Sequence, residues 1–137
     1  MVTSAGNTDV FVTKLDLAGN AVWAQRFGGL AAENGRGVAV DKAGNVVLTG
    51  SFNGSATFGG AALVSAGGQD AFVVKLDAAG AHVWSKRFGE FGTDAGVGAA
   101  FDSAGNVLLT GTFTSKIDFG LGPIAGGNDS WVAKLTP

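Results

Sequence analysis

Residues 9–59 read DVFVTKLDLAGNAVWAQRFGGLAAENGRGVAVDKAGNVVLTGSFNGSATFG, and residues 70–120 read DAFVVKLDAAGAHVWSKRFGEFGTDAGVGAAFDSAGNVLLTGTFTSKIDFG. The two align without a gap at an offset of 61, with 27 of 51 positions identical, and a third copy opens at Asp129 as DSWVAKLTP. A period of that length, built from short apolar runs, is the mark of an array of small sheets that bury their faces against one another. The chain therefore divides into repeat 1 (9–69), repeat 2 (70–128) and a partial repeat 3 (129–137), within one partial domain, 1–137.

Each repeat holds four strand-like runs rich in Val, Phe, Leu, Trp and Thr and bounded by Gly, Asn and Asp. The first is Asp9–Asp16, with Phe11, Thr13 and Leu15 on one face and Val10, Val12 and Lys14 on the other. The second is Ala21–Phe27, carrying Trp23 and Phe27 on one face. The third, Gly37–Asp41, is short and made of small residues, and the fourth, Val46–Phe52, is so apolar that burial on both faces is expected. No segment sustains a helical period past a glycine.

The turns order these runs. Asp16-Leu17-Ala18-Gly19-Asn20, Asp41-Lys42-Ala43-Gly44-Asn45 and Asp102-Ser103-Ala104-Gly105-Asn106 share one pattern. The Asp side chain accepts backbone N–H bonds to open a type I turn, and Gly takes the positive-φ position that follows. Such loops join adjacent antiparallel strands, so runs one and two pair, and runs three and four pair. The other connections, Gly28–Arg36 and Asn53–Gln69, are longer and diverge between copies. In an up-and-down order all Asp-x-Ala-Gly hairpins fall on one face of the assembly and all long loops on the other.

Four antiparallel strands per 61-residue repeat predict an all-β fold of β-propeller blades. The small third run fits the innermost strand and the Trp run the outermost. The chain then reads as two outer strands, one complete blade and three strands of another, about two and a quarter blades. Closing a ring takes more, so completion is expected either from oligomerisation or from a longer parent chain. Three or four copies would give six or eight blades. The KLD-type strand occurs at both ends (Asp9–Asp16 and Asp129–Thr136), so one copy would be displaced or cap an edge.

The ordered motifs Asp70–Gly80, Val83–Gly89, Gly37–Phe52 and Ala56–Gly60 resemble the bacterial SBBP β-propeller repeat family across essentially the whole chain. The resemblance implies a propeller in a secreted or cell-surface bacterial protein. It implies no catalytic activity and carries over no active site.

Composition narrows the function classes. Net charge is −2, with no basic stripe, which argues against nucleic acid and anionic membrane surfaces. No cysteine is present, and no apolar run is long enough to span a membrane. No signal peptide is visible in this chain. Among single residues, His82 is the only histidine and reads as an exposed strand residue, since one ligand makes no zinc site. Asp16, Asp41, Asp77 and Asp102 read as turn formers, and none follows the calcium-loop spacing of an EF-hand. Asp9, Asp70 and Asp129, with Lys14, Lys75 and Lys134 five residues on, recur in every copy and read as hydrogen-bond or ion-pair ties between blades. Trp23, Trp84 and Trp131 read as inter-blade core in preference to sugar-stacking platforms. No phosphate loop, nucleophile elbow or Ser/His/Asp set occurs. The inner strands offer Val38, Ala39 and Val40 against Ala99, Ala100 and Phe101, poor material for an axial active site.

The remaining candidates are polar residues of the long-loop face: Glu33, Asn34, Arg36, Asn53, Thr93 and Asp94. They point to a non-enzymatic scaffold, without cofactor or metal, that presents this face to a protein or glycan. A multivalent lectin-like oligomer and an engineered or excised fragment whose only activity is self-assembly are the alternatives.

Overall fold

The computed structural model describes residues 1–136, all-β throughout, with eleven strands. These are β1 (Val10–Leu15), β2 (Ala21–Gly29), β3 (Glu33–Val40), β4 (Val46–Phe52), β5 (Ser55–Thr57), β6 (Leu63–Val64), β7 (Asp70–Leu76), β8 (His82–Phe88), β9 (Ala95–Phe101), β10 (Val107–Asp118) and β11 (Pro123–Leu135). They form three antiparallel sheets in the orders β1-β2-β5-β6, β3-β4-β7-β8 and β11-β10-β9.

The middle sheet is the complete unit: a four-stranded meander running from the small third run (β3) to the Trp run (β8), as expected of a blade. The tight turns of all three sheets follow the chemistry read from sequence. Four hairpins are alike, each with the Gly amide donating to the Asp carbonyl at 3.0 Å: Gly19 to Asp16, Gly44 to Asp41, Gly80 to Asp77 and Gly105 to Asp102. In each, one Asp Oδ1 accepts two further amides, as when Ala43 and Asn45 both donate to Asp41 at 2.9 Å.

Burial follows sheet stacking. All seven residues of β4 are buried, with Val46, Leu48 and Phe52 against the first sheet and Val47 against the third. The inner strands β3 and β9 meet backbone to backbone. A Cβ on Gly37 would lie 3.0 Å from the Gly98 Cα and 3.0 Å from the Val97 carbonyl oxygen, which explains why this run is built of small residues. Between the first two sheets, Phe58 sits among Phe27, Phe52 and Phe72, stacked on Phe72 at 4.4 Å between centroids. Its repeat counterpart Phe119 lies 5.1 Å from Phe88 and 5.4 Å from Trp131.

The structure departs from the sequence reading in one boundary and adds to it in two places. The third run begins earlier, at Glu33, because Glu33 and Asn34 pair with Phe52 and Ser51 before a bulge between Gly35 and Gly37. The Asn53–Gln69 connection is not irregular. Ala56 and Phe58 are buried, and this pulls β5 onto β2 (Gly28↔Thr57, Gly29↔Ala56) and β6 onto β5. The Trp strand β2 therefore carries further strands outside it. In the second copy the same stretch instead lengthens the β10–β11 hairpin, with Ile117 opposite Ile124. Finally, the Phe11/Leu15 face of β1 is exposed (53% and 55%) whereas its counterpart Phe72 is fully buried, because the first sheet packs on the middle one through its opposite face.

Candidate functional site

The six candidate residues do not form one pocket. Antiparallel order places their segments at one end of the sheets, opposite the hairpins, but each residue has its own surroundings. Glu33 opens β3 and is 0% exposed, with Oε2 accepting the Gly29 amide at 2.9 Å. Asp94, just before β9, is also 0% exposed and accepts the Glu90 and Thr114 amides, each at 3.2 Å. Both were expected on a solvated loop face and are instead sealed between sheets. Asn34 is a half-buried strand residue paired with Ser51. Asn53 donates from Nδ2 to the Gly68 carbonyl at 3.2 Å. Thr93 donates its amide to Thr114 Oγ1 at 2.6 Å and bridges Gln69. Arg36 is exposed at the β3 bulge and lines a groove of about 360 Å³ with Phe11, Thr13 and Val38.

Around the two buried acids lies a repeated cluster that the residue-by-residue reading missed. Arg26 Nη1 pairs with Asp9 Oδ1 at 3.2 Å, and Arg87 Nη1 pairs with Asp70 Oδ2 at 2.5 Å. Each ion pair joins two strands of one sheet, and the acid that starts the next sheet reaches back to it across the seam. The signal was present in the sequence: an acid stands at 33 and at 94, seven residues after Arg26 and Arg87, in otherwise divergent loops. Burial pushes the Glu33 and Asp94 carboxyls up, reinforced by the neighbouring Asp9 and Asp70 charges. Asp9 is held below the usual carboxylate range, first by the Ser4 hydroxyl and also by amides and Arg26.

Two of the three recurring lysines reach the next sheet, and the third does not, against the expectation of a tie between blades in every copy. Lys14 Nζ donates to the Ala78 carbonyl of the next sheet at 3.0 Å, and Lys75 Nζ lies 5.8 Å from the Phe101 ring centre. Lys134 instead pairs with Asp102 of its own sheet at 2.8 Å. Trp23 packs on Gly80 and donates to the Ala78 carbonyl at 3.2 Å, and Trp131 is buried and donates to Thr112. His82 is half-buried, its ring against Gly59 and Gly60 and Nε2 3.2 Å from Ser85 Oγ.

On the opposite face, a groove of about 510 Å³ runs between the Asp41 and Asp102 hairpins. Its carboxylates are engaged: Asn45 Nδ2 donates to Asp41 at 2.7 Å, and Asn106 Nδ2 donates to Asp102 at 2.6 Å. The Lys134 ammonium and the Asn106 amide hold Asp102 far below the usual carboxylate range, and the Asn45 amide lowers Asp41. Such saturated acids are turn supports.

No protein-family model matches the sequence. Over 115 residues, 79% of this chain, the sequence is 27% identical to a protein called "Uncharacterized WD repeat-containing protein L264" from Acanthamoeba polyphaga mimivirus. The aligned part is 8% of that protein, so the chain spans less than a tenth of the length of the relative it matches.

Proposed function

We propose that this chain is a segment of a β-propeller that works as a non-enzymatic interaction scaffold, presenting its long-loop face to a protein or glycan. The observation that carries the reading is how that face is built. Buried acids clamp the connectors between sheets, through Gly29 in one copy and Glu90 and Thr114 in the other. Exposed Arg36, Thr93 and the residues around Asn53 thus stand on a fixed support, the arrangement that binding loops on rigid scaffolds use. The stacked meander and the WD-repeat name of the viral relative support the same reading. SBBP-type repeat identity is part of this proposal.

Further blades complete the ring, from added copies or from a longer polypeptide. They seat on the outer faces carrying Phe11 and Val132, the latter 76% exposed, because the counterparts Phe72 and Val73 are each 0% exposed in the middle sheet. Protein and glycan arrays probed with the labelled chain test the binding reading. Binding lost in Arg36→Ala or Asn53→Ala and kept in the hairpin-face variant Lys42→Ala supports it. Binding that depends on Lys42 and ignores the loop residues overturns it. Light scattering tests ring closure by copies: a discrete trimer or tetramer supports it, and a monomer assigns the missing blades to a longer chain.

A further inference from the structure

We propose that each seam between successive sheets holds one proton, on Glu33 beside Asp9 at the first seam and on Asp94 against Asp70 at the second, and that loss of this proton loosens the long-loop face.

The geometry is repeated. Gly28 separates the two carboxyls of the first seam: a Cβ there would lie 2.1 Å from Asp9 Oδ1 and 2.4 Å from Glu33 Oε2. The two oxygens are therefore no farther apart than those distances combined. Gly89 does the same at the second seam, at 2.9 Å from Asp70 Oδ1 and 2.7 Å from Asp94 Oδ2. Both glycines have positive φ (153° and 144°), so the backbone and the carboxyls together require glycine.

The charges do not balance. At the first seam the charged groups are Asp9, Glu33 and Arg26. At the second they are Asp70, Asp94 and Arg87, with Glu90 adding negative charge. One guanidinium faces two carboxyls each time. An uncompensated buried carboxylate is expensive and takes up a proton instead. Asp70 and Asp9 face the arginines, whereas Glu33 and Asp94 receive only backbone amides, so the latter two carry the proton.

The unsatisfied atoms agree. Asp70 Oδ1 and Glu33 Oε1 are buried with no hydrogen-bond donor. A proton on Asp94 leaves Asp70, beside Arg87, as the one anion of the pair that faces Gly89. A proton on Glu33 likewise leaves Asp9, beside Arg26, as the one anion of the first seam, so that no buried oxygen of Glu33 carries an uncompensated charge. The raised affinity of both groups for protons points the same way. A carboxyl whose folded pKa is raised contributes stability below the ordinary carboxylate range, and that contribution is lost as pH rises through the folded value. Above it, two anions lie side by side at the connectors that Gly29, Glu90 and Thr114 anchor.

The test is carbon-detected NMR titration of the Glu33 and Asp94 carboxyls in the full chain, with amide exchange of Gly29, Glu90 and Thr114 followed in parallel. Both groups should titrate above the usual carboxylate range. Over the same interval local protection, corrected for intrinsic exchange, should fall up to about tenfold per pH unit, the linkage of one proton. The neutral isosteres Glu33→Gln and Asp94→Asn should abolish that fall. Titration of both groups at or below the ordinary range overturns the proposal, and this readout needs no variant to fold. So does a calcium-induced rise in protection at neutral pH that Asp94→Asn removes, since the seam would then take a metal cation in place of the proton.

Discussion

Phe58→Ala is the sharpest probe of how the sheets hold together. The ring is fully buried between the first and second sheets and touches Phe27, Phe52 and Phe72. Deleting a buried Phe side chain costs about 3–5 kcal/mol, from lost transfer energy and the cavity left behind. Three aromatic partners, each worth about 0.5–1.5 kcal/mol beyond area, put this site at the upper end, about 4–5 kcal/mol. Its counterpart Phe119 is half-buried and touches two rings. Phe119→Ala should cost about half as much, ~2 kcal/mol. At roughly 3–4 °C per kcal/mol for a domain of this size, the two variants should separate by about 8 °C in Tm. Urea unfolding gives the free energies directly. If Phe119→Ala costs as much as Phe58→Ala, or if both cost less than about 1 kcal/mol, then the aromatic cluster is not what joins the sheets, and the argument from burial fails.

Other outcomes follow from single sites. Gly28→Ala should lose roughly 2–4 kcal/mol, since its Cβ meets two carboxyls in a strained backbone, whereas Gly19→Ala, at φ 85° with nothing within 4 Å, should lose only about 1 kcal/mol; comparable losses in urea melts would contradict this. Asp102 and Asp41 are held below the usual carboxylate range, so their contribution is present above it and lost on acidification. A scan of Tm against pH on the acid side should therefore be shallower for Asp102→Asn than for the parent chain. Trp131→Phe should cost about 1 kcal/mol, the bond from its indole N–H to the Thr112 carbonyl, while keeping the ring in its slot beside Phe119; thermal melts measure it.

Much of the fold was legible because its determinants are local. An Asp three residues before a Gly, with Ala between, dictates the same hairpin wherever it stands, and all four hairpins close with the same backbone bonds, the Asn that follows in three of them being Ala81 in the fourth. The apolar run Val46–Phe52 announced burial on both faces and is buried at all seven positions. The strand β5 was not legible: its three residues (SAT) carry little pattern, and only the pull of buried Ala56 and Phe58 on the neighbouring sheet makes them pair. The same stretch in the second copy takes a different partner, which no local rule distinguishes.

The candidate site divides along the same line. Arg36 is exposed and Asn53 and Thr93 sit in connectors, as a polar residue in a divergent loop suggests. Glu33 and Asp94 read the same way in sequence, yet tertiary structure buries them, because their partners lie in the preceding sheet: Asp9 and Arg26 for one, Asp70 and Arg87 for the other. The amino-acid sequence alone determined the period, the strands and the hairpins, since turn chemistry and side-chain alternation act over a few residues. Which faces meet, and which acids lose their water, was decided only by tertiary structure, since stacking sheets brings together charges that the chain keeps far apart.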